Sequence, residues 1–223
     1  MQRTLAEISL NPKLIIFDCD GVLVDSEPIA NKVLAKLLSE IGIPTTYEQS
    51  LDLFLGKSWK DSLIIINELL GKKPPPDLYE IYMDRMFKEF EDHLRPIQGI
   101  EQVLQSINAN YCVASSGPHQ KIRKTLGVTG LLPLFEGKIF SSTDVGKGKP
   151  EPDLFLHACS MMGYTPQQTI VIEDSLAGIQ AARSAGMRVF VYRPSSNEKY
   201  QKDNNEVITF RSMNTLSELI DKA

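Results

Sequence analysis

Six short apolar runs punctuate the chain: Leu14–Phe17, Tyr111–Ala114, Ile139–Phe140, Ile170–Ile172, Val189–Tyr192 and Ile208–Phe210. Each is too short for a helix, and most are β-branched or aromatic, which predicts strands. Their interiors do not alternate apolar with polar, as strands buried on both faces of a parallel sheet would not. Ile208–Phe210 reads as an edge strand. Between them lie helical patterns at Glu101–Ile107, Pro118–Leu126, Pro152–Met162 and Ser175–Ala185. Pro152 suits a first helical turn, and Asp174 or Ser175 can cap the helix that follows. Strands alternating with helices predict an α/β, doubly wound parallel sheet with a Rossmann-like core.

The stretch from about 27 to 95 is different. It has almost no strand signal, and Pro28–Glu40, Tyr47–Phe54, Trp59–Leu70 and Asp77–Asp92 read as four helices. The run Gly71-Lys72-Lys73-Pro74-Pro75-Pro76 is a loop between two of them. An all-α block between the first and second strands predicts an inserted cap domain at 27–95, over a core made of 1–26 and 96–223. The linkers fall near Asp25–Glu27 and Leu94–Gly99.

Length and composition narrow the class. At 223 residues the chain holds one large domain or one domain with an insertion. Apolar residues are 42% and charged residues 23%, ordinary for a globular protein. A net charge of −4 argues against a nucleic-acid partner. Cys19, Cys112 and Cys159 form no CxxC pair, and His93, His119 and His157 show no zinc spacing. No signal peptide is visible. The uncharged stretches 102–120 and 154–172 carry Asn, Gln, Ser, Gly or Pro, so neither reads as a membrane span. The expectation is a reduced, cytoplasmic setting with no membrane partner. The sequence does not set the oligomeric state and is compatible with a monomer.

The chemistry concentrates where strands end. Leu14–Phe17 runs straight into Asp18-Cys19-Asp20-Gly21. In extended chain, residues two apart face the same way, so both carboxylates can address one site while Cys19 packs behind. Paired carboxylates repel unless a cation or a proton intervenes, and a hard, oxygen-ligated ion such as Mg²⁺ meets that need. Taken alone, the pair reads more readily as a strand end followed by an Asp-Gly turn. After Tyr111–Ala114 come Ser115-Ser116-Gly117-Pro118, where a hydroxyl and free N–H groups at a helix start can hold phosphate, or Ser115 can simply cap. Lys149-Pro150-Glu151-Pro152-Asp153 puts a lysine before the next helix, with Lys147 reading as a surface residue. Ile170–Ile172 ends in Glu173-Asp174, with Asp174 also able to act as a cap.

The string Asp18-x-Asp20-Gly21-x-x-x-Asp25-Ser26-Glu27-Pro28, followed in order by Ser115, by Lys149-Pro150-x-Pro152-Asp153 and by Glu173-Asp174, resembles the haloacid dehalogenase-like hydrolases. The nearest likeness is to helical-cap phosphatases and beta-phosphoglucomutase-like members. The resemblance runs over the chain from about residue 13, with the cap matched only in type. It implies a magnesium-dependent phosphatase of a small phosphomonoester, such as a sugar, sugar-acid or polyol phosphate. Asp18 would be the nucleophile that forms an aspartyl-phosphate and Asp20 the general acid/base. Ser115 and Ser116 would bind phosphate together with Lys149, which also serves catalysis. Asp18, Asp20 through its backbone carbonyl, Glu173 and Asp174 would make the Mg²⁺ site, with Asp174 as direct ligand. Asp20 must then hold its proton while Asp18 stays ionised, an asymmetry that Mg²⁺ beside Asp18 would provide. Gly178 and Ala181–Ala182 would permit close helix–sheet packing.

The family's cap specificity loop falls at Leu55–Ser62, where Lys57, Trp59 and Lys60 can meet a substrate's far end. Two exposed lysines and a packed Trp59 are the alternative. Mutase relatives carry a histidine ten residues after the second aspartate, and Ala30 stands there, which favours hydrolysis over a phosphomutase. A non-enzymatic phosphoacceptor domain is the third reading. Other phosphatase loops are absent: no cysteine has Arg six positions on, no Arg-His-Gly occurs, and no Gly-Lys pair completes a P-loop.

Overall fold

The computed structural model describes residues 12–194 and 207–222. Six strands form one parallel sheet in the order β3-β2-β1-β4-β5-β6. They are β1 (Leu14–Phe17), β2 (Asn110–Ser115), β3 (Ile139–Ser141), β4 (Thr169–Glu173), β5 (Arg188–Tyr192) and β6 (Ile208–Phe210). All six apolar runs are strands, and Ile208–Phe210 is an edge strand, opposite β3. In β1 the side chains alternate between two cores: Ile15 and Phe17 face one, Leu14 and Ile16 the other. The period-2 geometry of a strand thus operates inside a wholly apolar run.

Five helices cover these faces. On the first lie α5 (Ile100–Ser106), α6 (His119–Val128) and α10 (Leu216–Asp221), with Val103, Leu126 and Ile220 turned inward. On the second lie α8 (Asp153–Met161) and α9 (Leu176–Ser184), which bury Phe155, Ala158, Ala181 and Ala182. A one-turn α7 (Leu132–Phe135) precedes β3. The sequence pattern does not predict α7 or α10, because four and six residues are too few to display a helical period.

Between β1 and α5 stand α1 (Glu27–Glu40), α2 (Tyr47–Phe54), α3 (Trp59–Leu70) and α4 (Leu78–His93). They enclose their own apolar cluster, which includes Leu34, Leu38, Phe54, Ile66 and Leu78. Met86 and Phe90 on α4 and Val33 on α1 face the other way and join the sheet's core. The two connections to the core run side by side. Asp25 N–H donates to the Arg95 carbonyl at 3.0 Å, and Ile97 N–H to Leu23 at 2.9 Å. Among the described residues no helix is long and apolar enough to cross a membrane.

Candidate active site

With β1 between β2 and β4, the sheet's connections diverge on either side of β1, and open α/β sheets bind ligands at the carboxyl edge of that point. There the structure gathers Asp18, Asp20, Ser115, Ser116, Lys149 and Asp174 around one cavity of about 210 Å³.

Asp18 extends the β1–β4 ladder, its N–H donating to Ile172 at 2.9 Å. Lys149 Nζ donates to Asp18 Oδ1 at 2.6 Å and to Glu173 Oε1 at 2.7 Å. Burial opposes the ammonium, but Asp18 and Glu173 outweigh it and raise the Lys149 pKa. Burial pushes Asp18 up to about 7. Lys149 works against that rise, while Glu173 and Asp20 add to it. A lysine shared with a second carboxylate only partly neutralises the first.

Asp20 behaves oppositely. Burial would raise it, but the Lys121 charge and hydrogen bonds from Lys121 and Ser26 win and lower it. Lys121 Nζ sits 2.8 Å from Asp20 Oδ2, and Ser26 Oγ donates to Oδ1. The family resemblance requires Asp20 to hold its proton more tightly than Asp18, with Mg²⁺ beside Asp18 supplying the difference. Without that ion's charge the protein groups alone favour the opposite order, because Asp20 is lowered by Lys121, which lies outside every motif. Its only sequence signal is a lysine one turn into the helix after the phosphate loop.

Asp18, Glu173 and Asp174 each bring a carboxylate oxygen within 4.8 Å of the others. They differ in what remains free. Glu173 Oε2 accepts from Asp174 N–H (2.7 Å), Ser175 N–H (2.7 Å) and Ser175 Oγ (3.0 Å), while Lys149 takes Oε1. Both its oxygens accept hydrogen bonds, so Glu173 anchors Lys149 and the β4–α9 turn while its carboxylate stays among the three close enough to share an ion. Asp174 Oδ1 is buried with no hydrogen-bond partner, and burial followed by the charges of Glu173, Glu27 and Asp18 pushes its carboxyl well up. A buried, unpaired carboxylate oxygen beside Asp18 is the environment that a hard divalent cation satisfies. The Asp20 side chain lies outside this cluster, held by Lys121 and Ser26.

Ser115 ends β2, is buried, and its Oγ accepts the Gly117 N–H at 3.1 Å. It does not cap α6, whose N-cap is Pro118. Ser116 is exposed beside it at the cavity rim.

The cap closes the cavity from above. Trp59 stacks on Tyr82 (centroids 5.3 Å, 15° between planes) and tilts against Tyr79 at 5.1 Å, and all three line the cavity. Trp59 is thus both packed and site-facing. Lys57 lines the cavity, whereas Lys60 is exposed and does not. Glu27, from the first motif, also lines it, pushed up to about 7 by burial and then by Asp20 and Asp18. A Cβ on Gly56 would lie 3.8 Å from Ser175 Cβ, so the cap loop rests directly on the core.

Comparison with known proteins agrees with this geometry. A family model for haloacid dehalogenase-like hydrolases matches residues 15–192. A 6-phosphogluconate phosphatase of Escherichia coli is 32% identical over 209 residues, covering 92% of this chain and 93% of the relative. A phosphorylated carbohydrates phosphatase of Thermotoga maritima is 29% identical, covering 78% of this chain and 81% of the relative. A solved haloacid dehalogenase-like protein from Agrobacterium tumefaciens superposes with a TM-score of 0.80 at 33% identity, covering 93% of this chain and 97% of that one.

Proposed function

Because this chain belongs to the haloacid dehalogenase-like hydrolases, we propose that it is a magnesium-dependent phosphatase of a small sugar, sugar-acid or polyol phosphate, acting through an aspartyl-phosphate on Asp18. The observation that carries the reading is the pairing of Asp18, held 2.6 Å from Lys149, with the unpartnered Asp174 Oδ1. Asp18 and Asp174, with the Asp20 carbonyl, would hold Mg²⁺, which supplies positive charge against the repulsion between a carboxylate and a phosphoryl group.

The chain's own residues account for the rest. Asp18 attacks phosphorus, and the bond to the leaving oxygen breaks as the Asp18–phosphorus bond forms. Asp20 gives the leaving oxygen a proton, then takes one from the water that cleaves the acyl-phosphate. Ser115 and the N–H groups after it orient the phosphoryl oxygens, and Lys149 offsets their charge. The products are an alcohol and inorganic phosphate.

Size limits the substrate. A cavity of about 210 Å³ is below the range of roughly 300–1,000 Å³ for drug-sized ligands. Residues 27–95 form the cap in this reading and contact the leaving group. Lys57 suits a carboxylate at the substrate's far end, in line with the sugar-acid phosphate named for the Escherichia coli relative. Ala30 lines the cavity where mutases carry histidine and offers no proton-carrying group.

The test is phosphate release from a panel of sugar, sugar-acid and polyol phosphates and nucleotides, with Mg²⁺ and with EDTA. Multiple turnovers are expected for the small substrates with Mg²⁺ only, and none from Asp18→Asn. Release of one equivalent and no more would point instead to a phosphoacceptor domain.

A further inference from the structure

Two lysines, Lys149 with its side chain buried and Lys121 half-buried, reach the cavity from the core and divide the carboxylates between them. Lys149 serves Asp18 and Glu173. Lys121 serves Asp20 at 2.8 Å, with the two side chains 19% and 21% exposed. The position of Lys121 is built. It projects from the first turn of α6, and its stem crosses Gly117, where a Cβ would stand 3.4 Å from Lys121 Cδ and 3.5 Å from Ser115 Oγ. Tyr82 of the cap lines the same space. Ser26 Oγ, from the start of α1, takes the other oxygen of Asp20. Both oxygens are therefore fixed by donors from separate elements, which leaves that carboxylate a single orientation in a site crowded with acids.

We propose that Lys121 is a positioning residue that holds the Asp20 carboxyl aimed at the leaving-group oxygen. This rests on the phosphatase reading above. In the transfer step the Asp18–phosphorus bond forms, the phosphorus–oxygen bond of the ester breaks, and the departing oxygen takes its proton from Asp20 Oδ1, which can carry one because the Ser26 hydroxyl accepts as well as donates, while Lys121 keeps Oδ2. Lys121 makes and breaks no covalent bond. Its contribution is geometric, and misplacement of a general acid by about an ångström is enough to cost roughly 100-fold.

The claim separates two classes of ester. An alkyl phosphate needs its leaving oxygen protonated, whereas p-nitrophenyl phosphate departs as a stable phenolate. The value of kcat/KM reports the transfer step for both. Lys121→Met is expected to lower kcat/KM for the best alkyl phosphate by about 100-fold and for p-nitrophenyl phosphate by less than about threefold. Equal losses on both substrates would overturn the proposal, since they would mean that Lys121 acts on phosphate binding or folding.

A double-mutant cycle supplies the second arm. If Lys121 acts only through Asp20, adding Lys121→Met to Asp20→Asn costs less than about twofold more on the alkyl ester. Additive losses would overturn the claim. The double variant removes both members of the half-buried pair and leaves neither charge without the other, so the comparison with Asp20→Asn stands even where Lys121→Met alone does not fold. The underlying reading fails separately: the wild-type protein would then show no Mg²⁺-dependent turnover, or Asp18→Asn would keep it.

Discussion

Gly178 exists to make room for Glu173. A Cβ at position 178 would lie 1.7 Å from Glu173 Oε1, inside the carboxylate itself. The sequence suggests helix–sheet packing in general for this glycine, but the space it leaves is filled by one charged group. That group fixes Lys149, which in turn touches Asp18. Gly178→Ala is therefore expected to break a buried ion pair, at a cost of roughly 3 kcal/mol. For a chain of this size that is a fall in Tm of about 6–12 °C. Lys149 loses an anchor, and kcat should fall on the order of 100-fold. Thermal melts and steady-state rates on the same preparation check both. A variant with wild-type rate and melt would show that Glu173 has another place to go.

Gly21 makes the same kind of space for Asp174. It has φ of +78°, and a Cβ there would meet Asp174 Oδ2 at 2.2 Å. Asp174 is the carboxylate with the unpartnered oxygen, so Gly21→Ala should act on the cation and not first on the substrate. The Mg²⁺ concentration for half-maximal activity is expected to rise by about 10–100-fold. Titration of activity with Mg²⁺ measures it. An unchanged midpoint with a lower plateau would place the damage in the backbone alone.

How far these features could be read beforehand depends on what each residue does for its neighbours. Leu14–Phe17 announces a buried strand because every residue in it is buried, and the carboxylates after it fall at the sheet's edge by geometry alone. Tyr47–Phe54 and Trp59–Leu70 are helices with the bounds that the sequence predicts, since Thr46 and Ser58 cap them with side-chain oxygens and Gly71 ends the second in a left-handed turn. Lys121 was not legible, because a lysine in an amphipathic helix reads as solvated unless its partner from β1 is known. The same holds for the split between Glu173 and Asp174. Adjacent acids look equivalent in sequence, and only the donors around Glu173 distinguish them.

The buried acids also set a pH dependence. Burial raises Asp18 from its ordinary 3.8 to about 7, and Glu27 from 4.5 to about 7. A carboxyl whose folded pKa lies above its unfolded value holds more protons when folded, so its contribution to stability falls as pH rises between the two. Asp20, lowered by Lys121 and Ser26, has the opposite sign, and its window lies below 3.8. The metal-free protein should therefore be strained most above pH 7, where a cation offers the largest relief. The rise in Tm on adding Mg²⁺ is expected to be larger at pH 8 than at pH 6. It should largely disappear in Asp174→Asn at both. Calorimetry with Mg²⁺ and with EDTA measures it, and an equal or larger rise at pH 6 would contradict the assignment.

The two cap lysines that the sequence treats alike are separated by the turn into α3. Gly56 turns the chain over Ser175, and Lys57 then lies at the cavity wall ahead of the capping Ser58. Trp59 goes inward against Tyr82. Lys60, the next residue on the helix, is rotated by about 100° from Trp59 and stands in solvent. Of the two lysines, Lys57 alone lines the cavity. For a sugar-acid phosphate, Lys57→Ala removes a charge-assisted contact at the edge of solvent, and KM should rise about tenfold, equivalent to ~1.4 kcal/mol. The matching polyol phosphate lacks the carboxylate, so its KM should change by less than about twofold on the same scale. Because the lysine is far from the reacting bond, kcat should hold for both. Lys60→Ala should alter neither substrate. Steady-state constants for the paired substrates on both variants decide it: a loss that ignores the carboxylate would remove Lys57 from recognition, and an effect at Lys60 would mean the helix presents a different face to the substrate.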